Sequence, residues 1–348
     1  MSSALGAAFR RVVEGESLDA AAMEAAIRAI MSGECPPAQV AGFLVALRMK
    51  GESSDEIAAA ARVLRTLATP VDLSGLGPIT DIVGTGGDGA STFNVSTASA
   101  FVLAAAGARV AKHGNRSVSS SSGAADVLEQ AGARLALAPG EVRALIEATG
   151  FAFLFAPAFH GAMRHAIGVR RELGVRTLFN LLGPLSNPAG AGHGLIGVFA
   201  GRWVRPVAEV LASLGAAHVL VVHADDGLDE LSVAAPSRVV EVRGGELHEY
   251  RVDPAQLGVR RGDLAEARVA SPLESLAMLE RVLRGRDAGV PTDLVALNAG
   301  AALYAADLAT DLTGGVRLAR EVLASGAAWE RLGRYTEQSQ ISASIAAT

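Results

Sequence analysis

The spacing of apolar positions divides the chain into a helical opening and an alternating remainder. From residue 4 to 69 apolar side chains recur at helical intervals, as in Val40, Phe43, Leu44 and Leu47, with stops at Gly33 and Gly51. About four short helices are expected there. Ser53, followed three residues later by Glu56 and an Ala-rich run, predicts a capping box at the start of the last one. The Pro- and Gly-rich stretch 69–78 reads as a hinge or linker. Beyond it, short apolar runs alternate with helical stretches: ITDIV, ASAFVLAAAG, ARVAK, ADVLEQAG, EVRALIEATG and FAFLFA. That alternation predicts an α/β domain. Further strands are expected at 218–223 and 238–242, and helices at 159–173, 276–283, 293–305 and 315–324. The expected organisation is a small all-α domain over 1–70 and an α/β domain over 71–348.

Composition narrows the function classes. No stretch approaches the ~20 uninterrupted apolar residues of a spanning helix, and the opening MSSALGAAFRR carries no leader pattern, so a cytoplasmic protein is expected. Cys35 is the single cysteine, which excludes an internal disulfide and a thiolate metal cage. A formal charge of -5 and the absence of any basic run argue against a nucleic-acid partner. Lys50 and Lys112 are the only lysines among 31 basic residues, so each is a position where Arg was not used.

Candidate chemistry concentrates in four places. Asp81 to Gly89 (DIVGTGGDG) closes a strand and precedes Ser91, Thr92, Asn94, Ser96 and Thr97 at the mouth of an Ala-rich helix. Glycines let the backbone approach an oxyanion, and the free N–H groups of a helix start point at it. The spacing fits neither the dinucleotide nor the Walker pattern. Lys112 to Gly123 (KHGNRSVSSSSG) follows the next strand and sets two cations, an amide and several hydroxyls where parallel folds bind ligands. Lys112 suits a phosphate or pyrophosphate as a point charge. Asp225, Asp226, Asp229 and Glu230 continue a third strand, and magnesium takes one or two such carboxylates plus substrate phosphates, with Asp229 and Glu230 the candidates. The expected 159–173 helix carries His160, Arg164, His165, Arg170 and Arg171 and leads to an Asn-Pro loop; one of its arginines could clamp a substrate carboxylate, without the sequence saying which. No zinc spacing and no G-x-S-x-G nucleophile is present.

The strings DIVGTGGDGASTFNVSTASAF, KHGNRSVSS, SGAADVLE, RRELGVRTLFNLLGPLSNPA and DGLDE, in this order, resemble the anthranilate phosphoribosyltransferase family. The resemblance implies an α/β catalytic domain of the nucleoside phosphorylase/phosphoribosyltransferase type with a separate small all-α N-terminal domain. It also implies a homodimer through the helical part, with segments near 170–190 packed on it. The implied substrates are 5-phosphoribosyl 1-pyrophosphate and anthranilate, joined with release of pyrophosphate in tryptophan biosynthesis, with one or two Mg2+ ions as cofactor.

For the phosphoribosyl donor, the implied contacts are Gly84, Gly87, Asp88, Thr92, Asn94, Val95, Ser96, Thr97, Lys112, His113, Gly114, Asn115, Arg116, Ser117, Val118, Ser119, Ser120 and Ala124. Those for anthranilate are Gly84, Asn115 and Arg170, and those for magnesium are Ser96, Asp229 and Glu230. Lys112 and Arg170 carry the implied catalytic roles. Phe159-His160-Gly161 stands where the family often has His-His-Pro, and His193 where Gln is common. A pyrimidine nucleoside phosphorylase would share the fold, but the GTGGD loop and the DGLDE acids suit pyrophosphate and magnesium better than a single phosphate. A nucleic-acid-binding relative would need a basic stripe and aromatic residues that a chain with 4% aromatics does not supply.

Overall fold

The computed structural model describes residues 4–117 and 121–346, and the helices and strands below are those of the described residues. The chain opens with α1 (Ala4–Val13), α2 (Ala20–Ser32), α3 (Pro37–Lys50) and α4 (Ser54–Leu67). Their ends follow from local chemistry. Gly33 ends α2 in the left-handed conformation at φ 80°, where a residue with a Cβ is strained. Ser53 and Glu56 form the expected capping box. The Glu56 carboxylate is fully buried and also accepts from Leu18 N and from Lys50 Nζ, both at 2.9 Å. One of the two lysines is thereby accounted for as a structural tie inside the helical bundle.

Stretch 69–78 forms no helix or strand, yet it is fastened. Thr69 N donates to Phe159 O at 2.8 Å and Val71 N to Pro188 O at 3.1 Å, while Val71 and Leu73 are buried. The second part then runs β1 (Ile79–Gly84), α5 (Val95–Ala105), β2 (Arg109–Gly114), α6 (Ala124–Gln130), α7 (Pro139–Thr149), β3 (Phe151–Phe155), α8 (Ala156–Phe159), α9 (Arg164–Leu173), α10 (Phe179–Leu185), β4 (His193–Gly197), α11 (Val204–Ser213), β5 (His218–Ala224), β6 (Ser237–Arg243), β7 (Glu246–Val252), α12 (Pro272–Leu283), α13 (Val290–Ala305), α14 (Leu312–Ser325) and α15 (Ala327–Ala346).

The seven strands form one mixed sheet in the order β3-β2-β1-β4-β5-β6-β7. The first five are parallel, with Lys112 opposite Phe153 and Ile82 opposite Leu195, and β6 and β7 add antiparallel. After β1 the chain moves outward through β2 to β3, then returns to lay β4 on the other side of β1. The crevice at the carboxyl ends of β1 and β4 is therefore a topological switch point, where open α/β sheets bind ligands.

Two apolar clusters sandwich the sheet. One packs α5 and α12 to α15 on one face, with Phe101 4.4 Å from Phe151 and Tyr335 edge-on to Phe151 at 4.7 Å between ring centroids. The other runs without a break from the sheet's opposite face, through Ile196, Val219, Val221 and α11, into the helical bundle. Helices α9 and α10 join that second cluster and pack on α2, α3 and α4.

The expected continuous helix over 159–173 is broken. His160, at φ -115° and ψ 58°, separates α8 from a single 3-10 turn at Gly161–Met163, and α9 starts only at Arg164. The break turns the His160 ring inward, 6% exposed, to lie 5.0 Å from the His113 ring.

Candidate active site

The glycine loop leaves β1 in a conformation that only glycines sustain cheaply. Gly86, Gly87 and Gly89 have φ of 68°, 78° and 78°, and Ser91 adopts 53°. Its near end is pinned: Thr85 N donates to Gly197 O at 2.9 Å, and Thr85 Oγ1 accepts from Phe199 N at 2.9 Å. Its far end pairs Thr92 with Arg268 and donates from Phe93 N to Ala267 O at 2.8 Å. A side chain at Gly84 would run into the Asp229 carboxylate, and one at Gly197 into the Asp229 backbone. Both glycines are thus required for the approach of the acidic loop after β5 to the glycine loop.

That approach brings the predicted residues together. Gly86 N donates to Asp229 Oδ2 at 2.7 Å, and Ser96 N, in the first turn of α5, donates to Glu230 Oε1 at 3.1 Å. Lys112 Nζ, only 1% of the residue being exposed, donates to Ile82 O and, at 3.1 Å, to Ser96 Oγ. One ammonium faces several acids. Burial, and then the Asp88 carboxyl, push Asp229 up to about 7. Burial, Asp229 and Asp88 push Glu230 well above the carboxylate range, against the pull of Lys112. Burial in turn lowers Lys112, opposed by Asp81, Glu230 and Asp229. Glu230 Oε2 is buried without a hydrogen-bond partner.

An orphaned, buried carboxylate oxygen in an acid-rich crevice is a costly arrangement unless a proton or a cation arrives. The donor set is all hard oxygen, which fits magnesium. No group of three His, Cys, Asp or Glu side chains among the described residues forms a ready-made metal cage; magnesium ordinarily takes several of its ligands from water and substrate phosphates.

The rest of the predicted set divides by what each side chain touches. Asn94 is a brace: its Oδ1 accepts from Ser122 Oγ and Ser275 Oγ, each at 2.7 Å, and its Nδ2 donates to Ser122 O at 3.2 Å. Val95 and Thr97 are buried in the core, with Thr97 Oγ1 unpartnered. His113 is buried, its Nδ1 lies 3.1 Å from Gly183 O, and burial depresses it to about 3, so the ring is neutral with Nδ1–H as donor. A Cβ at Gly114 would lie 2.8 Å from the Phe153 ring. Asn115 is exposed, with Oδ1 accepting from Arg116 N at 2.8 Å. Arg116 is engaged away from the crevice by Asp126 and Glu129. Ser117 N donates to Asp126 Oδ2 at 3.1 Å, and half-buried Ala124 opens α6. Val118, Ser119 and Ser120 lie outside the described residues.

Arg170 is half-buried on α9, 5.5 Å over the Phe179 ring, with no acid partner among the described residues, and burial lowers its pKa. A desolvated guanidinium without a counter-ion is ready for a carboxylate.

Sequence reading passed over a second layer. Asp81 Oδ2 accepts from Asn187 Nδ2 at 2.7 Å and its Oδ1 from His113 N at 3.2 Å, and burial raises it to about 6. The same Asn187 amide donates to Ala111 O at 2.8 Å, so one side chain spans the floor between β1 and β2. The available signal was an acid inside the apolar run ITDIV.

Residues 76–329 match the α/β domain of a glycosyl transferase family and residues 7–68 its helical bundle domain, which sets the class: a glycosyl transferase. The anthranilate phosphoribosyltransferase of Thioalkalivibrio sulfidiphilus is 56% identical over 325 residues, covering 93% of this chain and 96% of that protein. The crystal structure of the Thermus thermophilus enzyme of the same name superposes with a TM-score of 0.90 at 48% identity, covering 96% of this chain and 99% of the other. The Saccharomyces cerevisiae enzyme in complex with PRPP and Mg superposes at 0.89 and 28% identity, covering 98% and 99%, and it has also been solved with 4-fluoroanthranilate. The chain belongs to the anthranilate phosphoribosyltransferase family.

Proposed function

We propose that this chain transfers the 5-phosphoribosyl group of 5-phosphoribosyl 1-pyrophosphate to the amine of anthranilate, giving N-(5-phosphoribosyl)anthranilate and pyrophosphate, an early step of tryptophan biosynthesis. The observation that carries the reading is the buried, partnerless Glu230 Oε2 beside Asp229 beneath a glycine loop and a helix N-terminus. The liganded yeast relative, with PRPP and Mg, supports the same donor and metal.

In this reading the Gly84–Gly89 backbone and the first turn of α5 hold the pyrophosphate, whose negative charge suits both. Ser96, Asp229 and Glu230 hold one or two magnesium ions. Bound there, magnesium supplies charge neutralisation for the departing pyrophosphate. Lys112 acts from below, fixing Ser96 through Nζ and offsetting the two acids. Arg170 holds the anthranilate carboxylate, and Asn115, exposed at the rim, orients the ring.

An aryl amine is a weak nucleophile, so the chain contributes positioning and a preorganised field around the leaving group. Attack of the amine on the anomeric carbon expels pyrophosphate directly, and no side chain is needed as a covalent carrier. Exposed Met49 on α3, Ile167 on α9 and Val175 just past it support a homodimer through the helical part. Among the described residues no helix is long and apolar enough to cross a membrane, and we read the enzyme as cytoplasmic.

The test is loss of anthranilate fluorescence with purified protein, the donor and magnesium. Turnover is expected only when all three are present. Phosphorolysis of thymidine or uridine with no anthranilate turnover would overturn the assigned acceptor.

A further inference from the structure

The crest of the glycine loop has little to hold it. Four residues between 86 and 91 are in left-handed conformations, so the loop lacks the steric definition that side chains give, and glycine-rich segments carry a large ordering entropy. Its two ends are pinned to the sheet and to the Ala267–Val269 segment. Between them Gly86 N and Ala90 N bond to Asp229 and Asp88, acids expected to engage the cation and its donor when these bind. Once those acids turn to the ligands, the loop needs a fastening that does not depend on them.

Arg176 provides one. It lies in the connection between α9 and α10, and its Nη2 donates to the Gly87 carbonyl. Its guanidinium stacks 4.4 Å over the Phe199 ring, just beyond β4, a contact that fixes the plane of the fork. The backbone of the same residue is tied to the helical bundle, where Arg48 Nη1 on α3 donates to Arg176 O at 2.5 Å. A single residue thus connects α3, the α9–α10 segment and the donor loop. The acceptor clamp Arg170 sits six positions earlier on that same segment.

We propose that Arg176 is a positioning residue that latches the Gly87 crest to the helical side of the crevice, presenting the loop amides to the donor and setting donor and acceptor halves in register. The inference rests on the reaction proposed above. Its Nη2 bond to a carbonyl occupies none of the loop's N–H groups, and the chemistry itself does not pass through Arg176. Removing the latch therefore loosens donor binding more than it slows the chemical step.

Two readouts on full-length wild type, Arg176→Ala and Arg176→Lys test this. Without substrates, hydrogen exchange at the Gly86 and Ala90 amides should quicken about tenfold in Arg176→Ala, the scale of one lost charge-assisted hydrogen bond. In steady state the donor KM should rise about tenfold with kcat within about twofold. Arg176→Lys, which keeps a cationic donor, should recover part of both effects. Amide exchange or donor KM within about twofold of wild type in Arg176→Ala would overturn the latch, as would Arg176→Lys giving no recovery. A wild-type protein that fails to turn over would instead sink the assigned reaction, and amide exchange alone would still judge the latch.

Discussion

The two ends of the parallel sheet each carry a cluster of charged side chains, and the clusters are built to opposite standards. At the amino ends of β4 and β5, His218 lies between Glu241 and Asp307, 3.0 Å from each. Glu241 accepts further hydrogen bonds from Tyr250 at 2.9 Å and Tyr304 at 2.8 Å. Donors and acceptors match. At the carboxyl ends, Asp229 and Glu230 crowd one lysine while Asp88 adds like charge to both acids, and a carboxylate oxygen is left unpartnered. The shifts of the two acids run in opposite directions. Burial raises Glu241, but hydrogen bonds from His218 and the tyrosines outweigh it and bring it to about 2, whereas burial and like charge bring Asp229 to about 7. On the proposed function, the satisfied cluster serves stability and the frustrated one awaits a ligand that completes it.

The comparison can be broken most strongly at its frustrated end. Glu230→Gln should lower turnover about 100- to 1000-fold, the range for losing one stabilising group in a charge-developing step, with the loss read from initial rates across a magnesium titration. Arg170→Ala should raise the anthranilate KM about 10- to 100-fold through loss of charge-assisted hydrogen bonds, leaving the donor KM nearly unchanged. Equal increases for both substrates would remove the clamp role.

At the satisfied end the loss falls on stability. His218→Phe should cost about 3 kcal/mol in denaturant unfolding, as expected when one partner of a buried ion pair is removed, while kcat at permissive temperature stays within about twofold. The pH dependence of that contribution has a definite sign. Burial pulls His218 down, but Glu241 and Asp307 prevail and its folded pKa lies above 6.5, so its stabilisation is complete below 6.5 and fades as pH rises through the folded value. Glu241 is depressed, so its stabilisation is present above 4.5 and fades as pH falls toward about 2. The difference in unfolding free energy between wild type and His218→Phe should therefore be largest between about pH 4.5 and 6.5. A difference that grows from pH 6.5 to 9 would contradict the assignment.

Most of the crevice was legible because its chemistry is compositionally odd. Four glycines around Thr85 and Asp88, hydroxyls at a helix start, a rare lysine and the DGLDE acids stand out in an Ala- and Arg-rich chain, and the fold brings Ser96, Lys112, Asp229 and Glu230 together. What escaped depends on partners distant in sequence. Asp81 and Asn187 are 106 positions apart and meet only once β1 and β2 are paired. Strand β4 reads poorly because Gly194 and Gly197 interrupt it, and both are required by approaching backbones, of Asp81 and Asp229 respectively. Strand β7 is an exposed, polar edge with no apolar alternation to betray it. The helix over 159–173 failed at His160, where packing against His113 overrides helical periodicity.

The central claim is that the carboxyl-end acids are kept at a cost to stability. It is tested by melting Asp229→Asn beside wild type at pH 8 without magnesium, then measuring turnover of the same samples with magnesium. The amide oxygen introduced by Asp229→Asn can still accept from Gly86 N while the buried charge is shed, so the account predicts a melting midpoint unchanged or raised by roughly 2–5 °C, with turnover lowered at least about a hundredfold. A midpoint lowered by several degrees, the behaviour expected of the satisfied cluster, would contradict it.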